Sequence, residues 1–237
     1  MGSSRWESFR VCHFETDLWI AVSKEGYLPA AENYALKRIR YYRSVVESHF
    51  SLVPDFFSSY SPLEVPDNIH PLISDMYTAS AKAGTGPMSA VAGAIAEYTC
   101  RDLLSEFGCA EVVVENGGDI FLKTDKPVII SVHAGSSPLS GKTGLKILPE
   151  QTPLAVCCSS GTKGHSISFG NADACVIACS SGALADAYAT ACCNMVRSAE
   201  MIGKVTEHAL KIADIVAVVI IKDDVIGMGG KIEMKLL

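Results

Sequence analysis

The 237-residue sequence lacks the features that mark several classes of protein. Its longest apolar runs, such as residues 215–221, are far too short to cross a bilayer. Residues 1–10 are polar, whereas a secretory signal would carry an apolar segment there. The formal net charge of −6 offers no basic field to neutralise a nucleic-acid backbone. We therefore expect a soluble cytoplasmic protein that binds neither a membrane nor a nucleic acid.

The sequence also lacks C-x-x-C spacing among its nine cysteines. An odd number of cysteines without a secretory signal argues against a disulfide framework. We interpret them as small buried apolar residues in a reducing compartment. A structural zinc site is one alternative. A thiol-based redox protein is another, and it needs an exposed thiol of low pKa. The cationic neighbours on offer in the sequence are Lys163 near Cys158 and Arg197 near Cys193.

No internal repeat, low-complexity segment or interdomain linker is visible, so residues 1–237 are expected to form one domain. With 49% hydrophobic and 19% charged residues, the composition is that of a globular protein. Residue patterns predict helices from Pro29 onward and over 66–82, 88–107, 182–196 and 199–213. They predict strands over 9–14, 18–23, 111–115, 120–123, 127–133, 154–159, 174–180, 215–221, 225–228 and 232–236, with a flexible loop over 135–144. Hairpins and helices without strict βαβ alternation indicate an α+β fold with a mixed or antiparallel sheet.

Two glycine-containing segments each have two interpretations. The turn 84–87 opens into a helix whose first turns are nearly all small residues. Small side chains there permit close packing of another helix, or the approach of a phosphate to the helix start. The segment Asn116-Gly117-Gly118-Asp119 suits a tight hairpin, because positive φ costs little at these residues. Asp119 would then be a turn residue, or the turn would be a loop that faces a ligand.

The most promising candidate site lies in residues 159–194, where a helix carries Asp186 and Thr190. Residues four apart lie on the same face of a helix, so both oxygens can reach one ligand. A hard divalent cation such as magnesium suits an oxygen pair of this kind. The alternative is an exposed aspartate, with a threonine whose hydroxyl bonds back to a carbonyl of its own helix.

Four segments of the sequence together resemble the ApbE-type FAD:protein FMN transferases. The segment SSGALADAYAT at 180–190 resembles the family's A-D-A-L-A-T helix, and NGGD at 116–119 is similar to its N-x-G-G-D turn. Ser160-Gly161 followed by His165 resembles its S-G and histidine segment, and PMSAVAGAIA at 87–96 its D-L-G-A-I-A-K-G-Y-A helix start. The four segments occur in the family's order and approximate spacing. The chain is most similar to a compact, functionally unassigned branch of this group, with a T-fold-related architecture.

The resemblance implies a set of site residues and ligands. It implies a magnesium ion held by Asp186, Thr190 and the backbone carbonyl of Ala90, which would bridge the diphosphate of FAD or another nucleotide. It implies a catalytic His165 beside the flavin, FAD or FMN. The further residues that it implies for cofactor binding are Asn116, Gly117, Gly118, Asp119, Ser160 and Gly161. The pocket would lie within one chain or between the two chains of a homodimer.

Three hypotheses about function remain, and two departures from the family pattern bear on the choice between the first two. Gly93 stands where the family has a lysine, and Ser168 where it has an aspartate after the histidine. A magnesium-dependent transferase or hydrolase that acts on a flavin or nucleotide diphosphate is the first hypothesis. A non-enzymatic flavin or cofactor binder is the second, because both missing side chains would serve catalysis. The thiol-based redox protein is the third.

Overall fold

A computed structural model describes residues 5–27, 29–161 and 170–237. Within these ranges the chain forms strands β1 Trp6–His13, β2 Thr16–Ser23, β3 Val112–Asn116, β4 Asp119–Lys123, β5 Val128–Ser131, β6 Thr143–Ile147, β7 Leu154–Ser159, β8 Ala174–Cys179, β9 Ile215–Lys222, β10 Val225–Gly230 and β11 Glu233–Leu236. Its α-helices are α1 Ala30–Leu52, α2 Asp55–Ser58, α3 Pro71–Ala83, α4 Val91–Phe107, α5 Gly182–Met195 and α6 Ile202–Leu210. In the described part of the chain, no helix is long and apolar enough to cross a membrane.

The described strands form two antiparallel sheets. The larger one, here called the main sheet, has eight strands in the order β1-β2-β3-β4-β7-β8-β9-β10. The small sheet has three, in the order β11-β6-β5. Each neighbouring pair is antiparallel, so the strands can be joined by short turns. The predicted α+β class with an antiparallel sheet is confirmed.

Side-chain alternation on the main sheet builds two hydrophobic cores. On one face, residues such as Val112 and Val114 of β3 pack against the helices. On the other face, residues such as Leu122 and Val156 pack against Leu145 and Ile147 of the small sheet. The main sheet is therefore covered by helices on one side and by the small sheet on the other.

Several predicted element boundaries change in the structure. The helix predicted from residue 66 begins at Pro71, because His70 caps it: its Nδ1 accepts the N–H of Leu72 at 3.1 Å. The helix predicted from residue 88 begins at Val91, after a 3-10 turn over Pro87–Ala90. The loop predicted over 135–144 ends in strand β6, which was not predicted. The hairpin turn between β1 and β2 lies at Phe14 and Glu15, since His13 pairs with Thr16.

Candidate functional site

Helices α4 and α5 cross in contact at two glycines. A Cβ atom on Gly93 would lie 2.2 Å from the carbonyl oxygen of Gly182, and a Cβ atom on Gly182 would lie 2.2 Å from the carbonyl oxygen of Gly93. No side chain fits at either position while the helices keep this separation. The small residues at the start of α4 therefore serve helix packing, which is one of the two roles considered for them.

Each of the two helices also supplies a carboxylate to the start of the other. Glu97 of α4 accepts the N–H of Gly182 at 2.6 Å, and Asp186 of α5 accepts the N–H of Gly93 at 2.9 Å. The first N–H groups of a helix have no partner within the helix, and they favour negative charge. The second oxygen of Glu97 pairs with Arg101 at 2.8 Å. The crossing is thus held by two reciprocal caps.

The turn between β3 and β4 comes next to this crossing. Gly117 and Gly118 have φ of 64° and 108°, and Asn116 pairs directly with Asp119, so the predicted tight hairpin is confirmed. The side-chain amide of Asn116 donates to the carbonyl of Ala92 at 3.1 Å, which ties the hairpin to the start of α4. A glycine is required at the two central positions because L-residues rarely adopt these angles.

Asp119 is the first residue of β4, and it is buried rather than exposed in the turn. Its Oδ1 accepts the N–H of Cys158 on the neighbouring strand β7 at 3.1 Å. Burial, with a contribution from the charge of Glu115, raises the pKa of Asp119 to about 7. Asp119 therefore closes the predicted hairpin and is also a buried carboxylate that bonds to the neighbouring strand.

Asp119 and Asp186 lie close enough for their charges to interact. Desolvation, and then the charge of Asp119, raise the pKa of Asp186 well above its usual value, although part of Asp186 remains accessible to solvent. The N–H groups of Gly93 and Ala92 oppose this shift. Among the described lysines and arginines, none forms an ion pair with either carboxylate. Two acidic groups thus meet at one place without a described cation to balance them.

Asp186 and Thr190 of α5 both carry side-chain oxygen atoms, which suit a hard cation. Thr190 is one helical turn beyond Asp186, and its hydroxyl makes no hydrogen bond to another described residue, so the proposed bond back to its own helix is not formed. Helix α5 also packs against the 3-10 turn that contains the buried Ala90. No group of three or more His, Cys, Asp or Glu side chains in the described ranges could hold a metal ion by itself. The donors present fit magnesium, which uses one or two carboxylates and takes further ligands from water or substrate phosphates.

The remaining predicted site residues lie around a segment that is not described. Ser160 and Gly161 follow β7, and the N–H of Gly161 donates to the carbonyl of Ala172 at 2.9 Å. A Cβ atom on Gly161 would lie 1.9 Å from the carbonyl oxygen of Gly170, so the two ends of the segment 162–169 are in close contact. Gly170 in turn meets the backbone of Cys193, in the last turn of α5. His165 and Ser168 lie outside the described residues, as does Lys163.

All nine cysteines lie in the described ranges, and none forms a disulfide with another described residue. Seven are buried, Cys158 is partly exposed and Cys12 is exposed. Burial raises the pKa of Cys158 to about 12, which is the opposite of what a reactive thiol needs. The buried environment supports their interpretation as small apolar residues.

A short similarity between two segments of the sequence marks this helix crossing. Residues 93–97 read GAIAE and residues 182–186 read GALAD, so each glycine is followed four residues later by an acid. In the structure these two pentapeptides are the two halves of the crossing. Glu97 was missed because a helical glutamate is ordinarily a surface residue.

Two proteins from methanogenic genera are similar to this chain in sequence over nearly their whole length. A UPF0280 protein of Methanococcus aeolicus is 37% identical over 94% of this chain and 90% of its own length. A UPF0280 protein of Methanocaldococcus jannaschii is 38% identical over 96% and 92%.

Two solved structures show the same fold at low sequence identity. The flavinyl transferase ApbE of Pseudomonas stutzeri has a TM-score of 0.54 at 14% identity and covers 94% of each chain. The ApbE protein of Thermotoga maritima has a TM-score of 0.58 at 14% identity and covers 96% of each chain. The family model described as "AbpE bacteria" matches residues 2–222, and this chain therefore belongs to that family.

Proposed function

We propose that this protein binds a flavin or another nucleotide diphosphate together with magnesium, and that it acts on this ligand as a transferase or a hydrolase. The observation that carries the proposal lies at the start of α4, where Asp186 accepts the N–H of Gly93 and lies close enough to Asp119 for their charges to interact. Thr190 is one helical turn beyond Asp186, and its hydroxyl makes no hydrogen bond to a described residue. One of the solved structures with a similar fold is a flavinyl transferase, which supports a flavin as the ligand.

The chain's own residues would share the work of holding the ion and the ligand. Asp186, Thr190 and the carbonyl of Ala90 would hold the magnesium ion, which would supply positive charge to a diphosphate group. The bond from Gly93 N–H to Asp186 Oδ2 fixes the rotation of that carboxylate, so its other oxygen is oriented before an ion arrives. The hairpin of Gly117 and Gly118 has no side chain at its tip and leaves room beside it for a ligand.

A second function, flavin or cofactor binding without catalysis, is favoured by one specific observation. At Gly93 the crossing leaves no space for a side chain, because a Cβ atom would meet the carbonyl oxygen of Gly182 at 2.2 Å. The positive charge that the family resemblance places at this position therefore cannot be supplied from here. A protein that retains the pocket but lacks this charge would bind its ligand without turning it over.

The metal assignment is tested by thermal unfolding with FAD, in the presence and absence of magnesium. We expect magnesium to increase the stabilisation by FAD in the wild-type protein, because the ion joins the carboxylate to the diphosphate. Asp186→Asn and Thr190→Val should each remove this magnesium increment. Both variants are nearly isosteric, and the asparagine oxygen can still accept the N–H of Gly93.

Thr206→Val is a matched control, since Thr206 is also a helical threonine whose hydroxyl has no described partner, but it lies on α6. It should keep the full increment. A magnesium increment that survives in Asp186→Asn would overturn the metal assignment. Chromatography of the same mixtures then separates the two functions: release of FMN or AMP identifies an enzyme, and unchanged bound FAD identifies a binder.

A further inference from the structure

A cleft lies on the opposite side of the main sheet from helices α4 and α5. It has a volume of about 470 Å³ and lies between the main sheet and strand β5 of the small sheet, partly open to solvent. Its floor is formed by apolar side chains of four neighbouring strands, among them Ala21, Val113, Ile120 and Val156. A volume of this size is typical of small-molecule sites, which are mostly apolar with a few placed polar groups.

Both tryptophans of the chain line this cleft. Trp19 of β2 is 42% exposed, and it stands directly beside Glu115 in the register of β2 and β3. Trp6 also borders the cleft, and the guanidinium of Arg5 lies 4.7 Å from the centre of its ring. An exposed tryptophan over an apolar floor provides a flat surface on which an aromatic ring can stack.

Glu115 is the acidic residue among the described lining residues. Its Oε1 accepts the N–H of Gly118 at 3.0 Å, while the structure gives its other oxygen no hydrogen bond to a described residue. The nearby Arg10 is already paired with Asp17, which raises the pKa of Arg10 more than the charge of Glu115 does. The second oxygen of this partly buried carboxylate borders an apolar surface, where its burial is costly unless a ligand supplies a donor.

We propose that this cleft binds a planar aromatic heterocycle that presents N–H groups, such as an alloxazine or a purine ring. The ring body would lie on the apolar floor against Trp19, and an N–H group would donate to the free oxygen of Glu115. The inference goes beyond the proposed function, because Asp186 and Thr190 lie on the other face of the main sheet and contribute nothing to the cleft.

The test uses tryptophan fluorescence, because both tryptophans line the cleft. The probes are lumichrome and adenine, neither of which carries a phosphate, in buffer without magnesium. We expect at least one of them to change the fluorescence with saturable binding. On lumichrome, 1,3-dimethyllumichrome is the matched control, since methyl groups replace both of its N–H donors. It should bind about 10-fold more weakly, which corresponds to one lost hydrogen bond to a charged acceptor.

Protein variants separate the cleft from the rest of the molecule. Glu115→Gln keeps an oxygen for the N–H of Gly118 and should weaken binding about 10-fold for the same reason. Glu47→Gln on α1 should leave the affinity unchanged, and so should Asp186→Asn. No saturable change with either probe, or equal binding of the methylated and unmethylated probes by the wild-type protein, would overturn the proposal. A magnesium increment with FAD would still be measurable in either case, so failure here is distinct from failure of the proposed function.

Discussion

Replacement of Gly93 by alanine tests the helix crossing on which the candidate site is built. The added Cβ atom would lie 2.2 Å from the carbonyl oxygen of Gly182, well inside contact distance, so α4 and α5 would have to separate by about 1 Å. Overpacking of this kind costs about 1–3 kcal/mol. The separation would also lengthen the bond from Gly93 N–H to Asp186, and losing a hydrogen bond to a charged group costs about 1.5–3 kcal/mol.

The helix propensity of alanine offsets part of this loss, by about 1 kcal/mol. The free energy of unfolding should therefore fall by about 1.5–5 kcal/mol, as measured by urea unfolding at neutral pH. Gly203→Ala is the matched control, because Gly203 is also a helical glycine but a Cβ atom there would meet nothing within 4 Å. That control should be unchanged or slightly more stable. If Gly93→Ala is as stable as Gly203→Ala, the two helices do not meet as described.

Three further predictions concern other parts of the molecule. Glu97→Ala should lower stability by about 1–3 kcal/mol in urea unfolding, because it leaves the N–H of Gly182 without its acceptor, and Glu97→Gln should restore most of the loss. Burial lowers the pKa of His49, so the unfolded chain takes up its proton at higher pH than the native protein. Stability from this residue should be complete above about pH 6.5 and decline as the pH falls below it, and His49→Gln should reduce that decline. A thiol reagent should modify Cys12 rapidly, Cys158 slowly and the other cysteines after unfolding, and Cys12→Ser should abolish the rapid phase; rapid modification in that variant would contradict the burial pattern.

Local chemistry explains why some parts of the fold were predictable. The sequence Asn116-Gly117-Gly118-Asp119 predicts its hairpin because few residues other than glycine adopt the required angles. The helical register that places Asp186 and Thr190 together depends on spacing alone. In both cases the information lies within about five residues of the feature.

Features that depend on distant partners could not be predicted in this way. Strand β6, Thr143–Ile147, has little alternation of its own, and its pairing is with β5 and with β11 near the end of the chain. Asp119 is buried beside strand β7, where it accepts the N–H of Cys158, and no local pattern reveals this distant partner. Glu115 and Trp19 become neighbours through the pairing of β2 with β3, across a long stretch of intervening chain.

The glycine crossing also constrains the order in which the protein can fold. Its two halves lie about ninety residues apart, and contacts between such distant segments form late because a long loop must first be closed. A chain emerging from the ribosome could complete α4 and the β3–β4 hairpin while Gly93 and Glu97 still lacked their partners on α5. The candidate site would then come into existence in a single late step, when α5 docks. Ligand binding at Asp186 would serve as a reporter of complete folding.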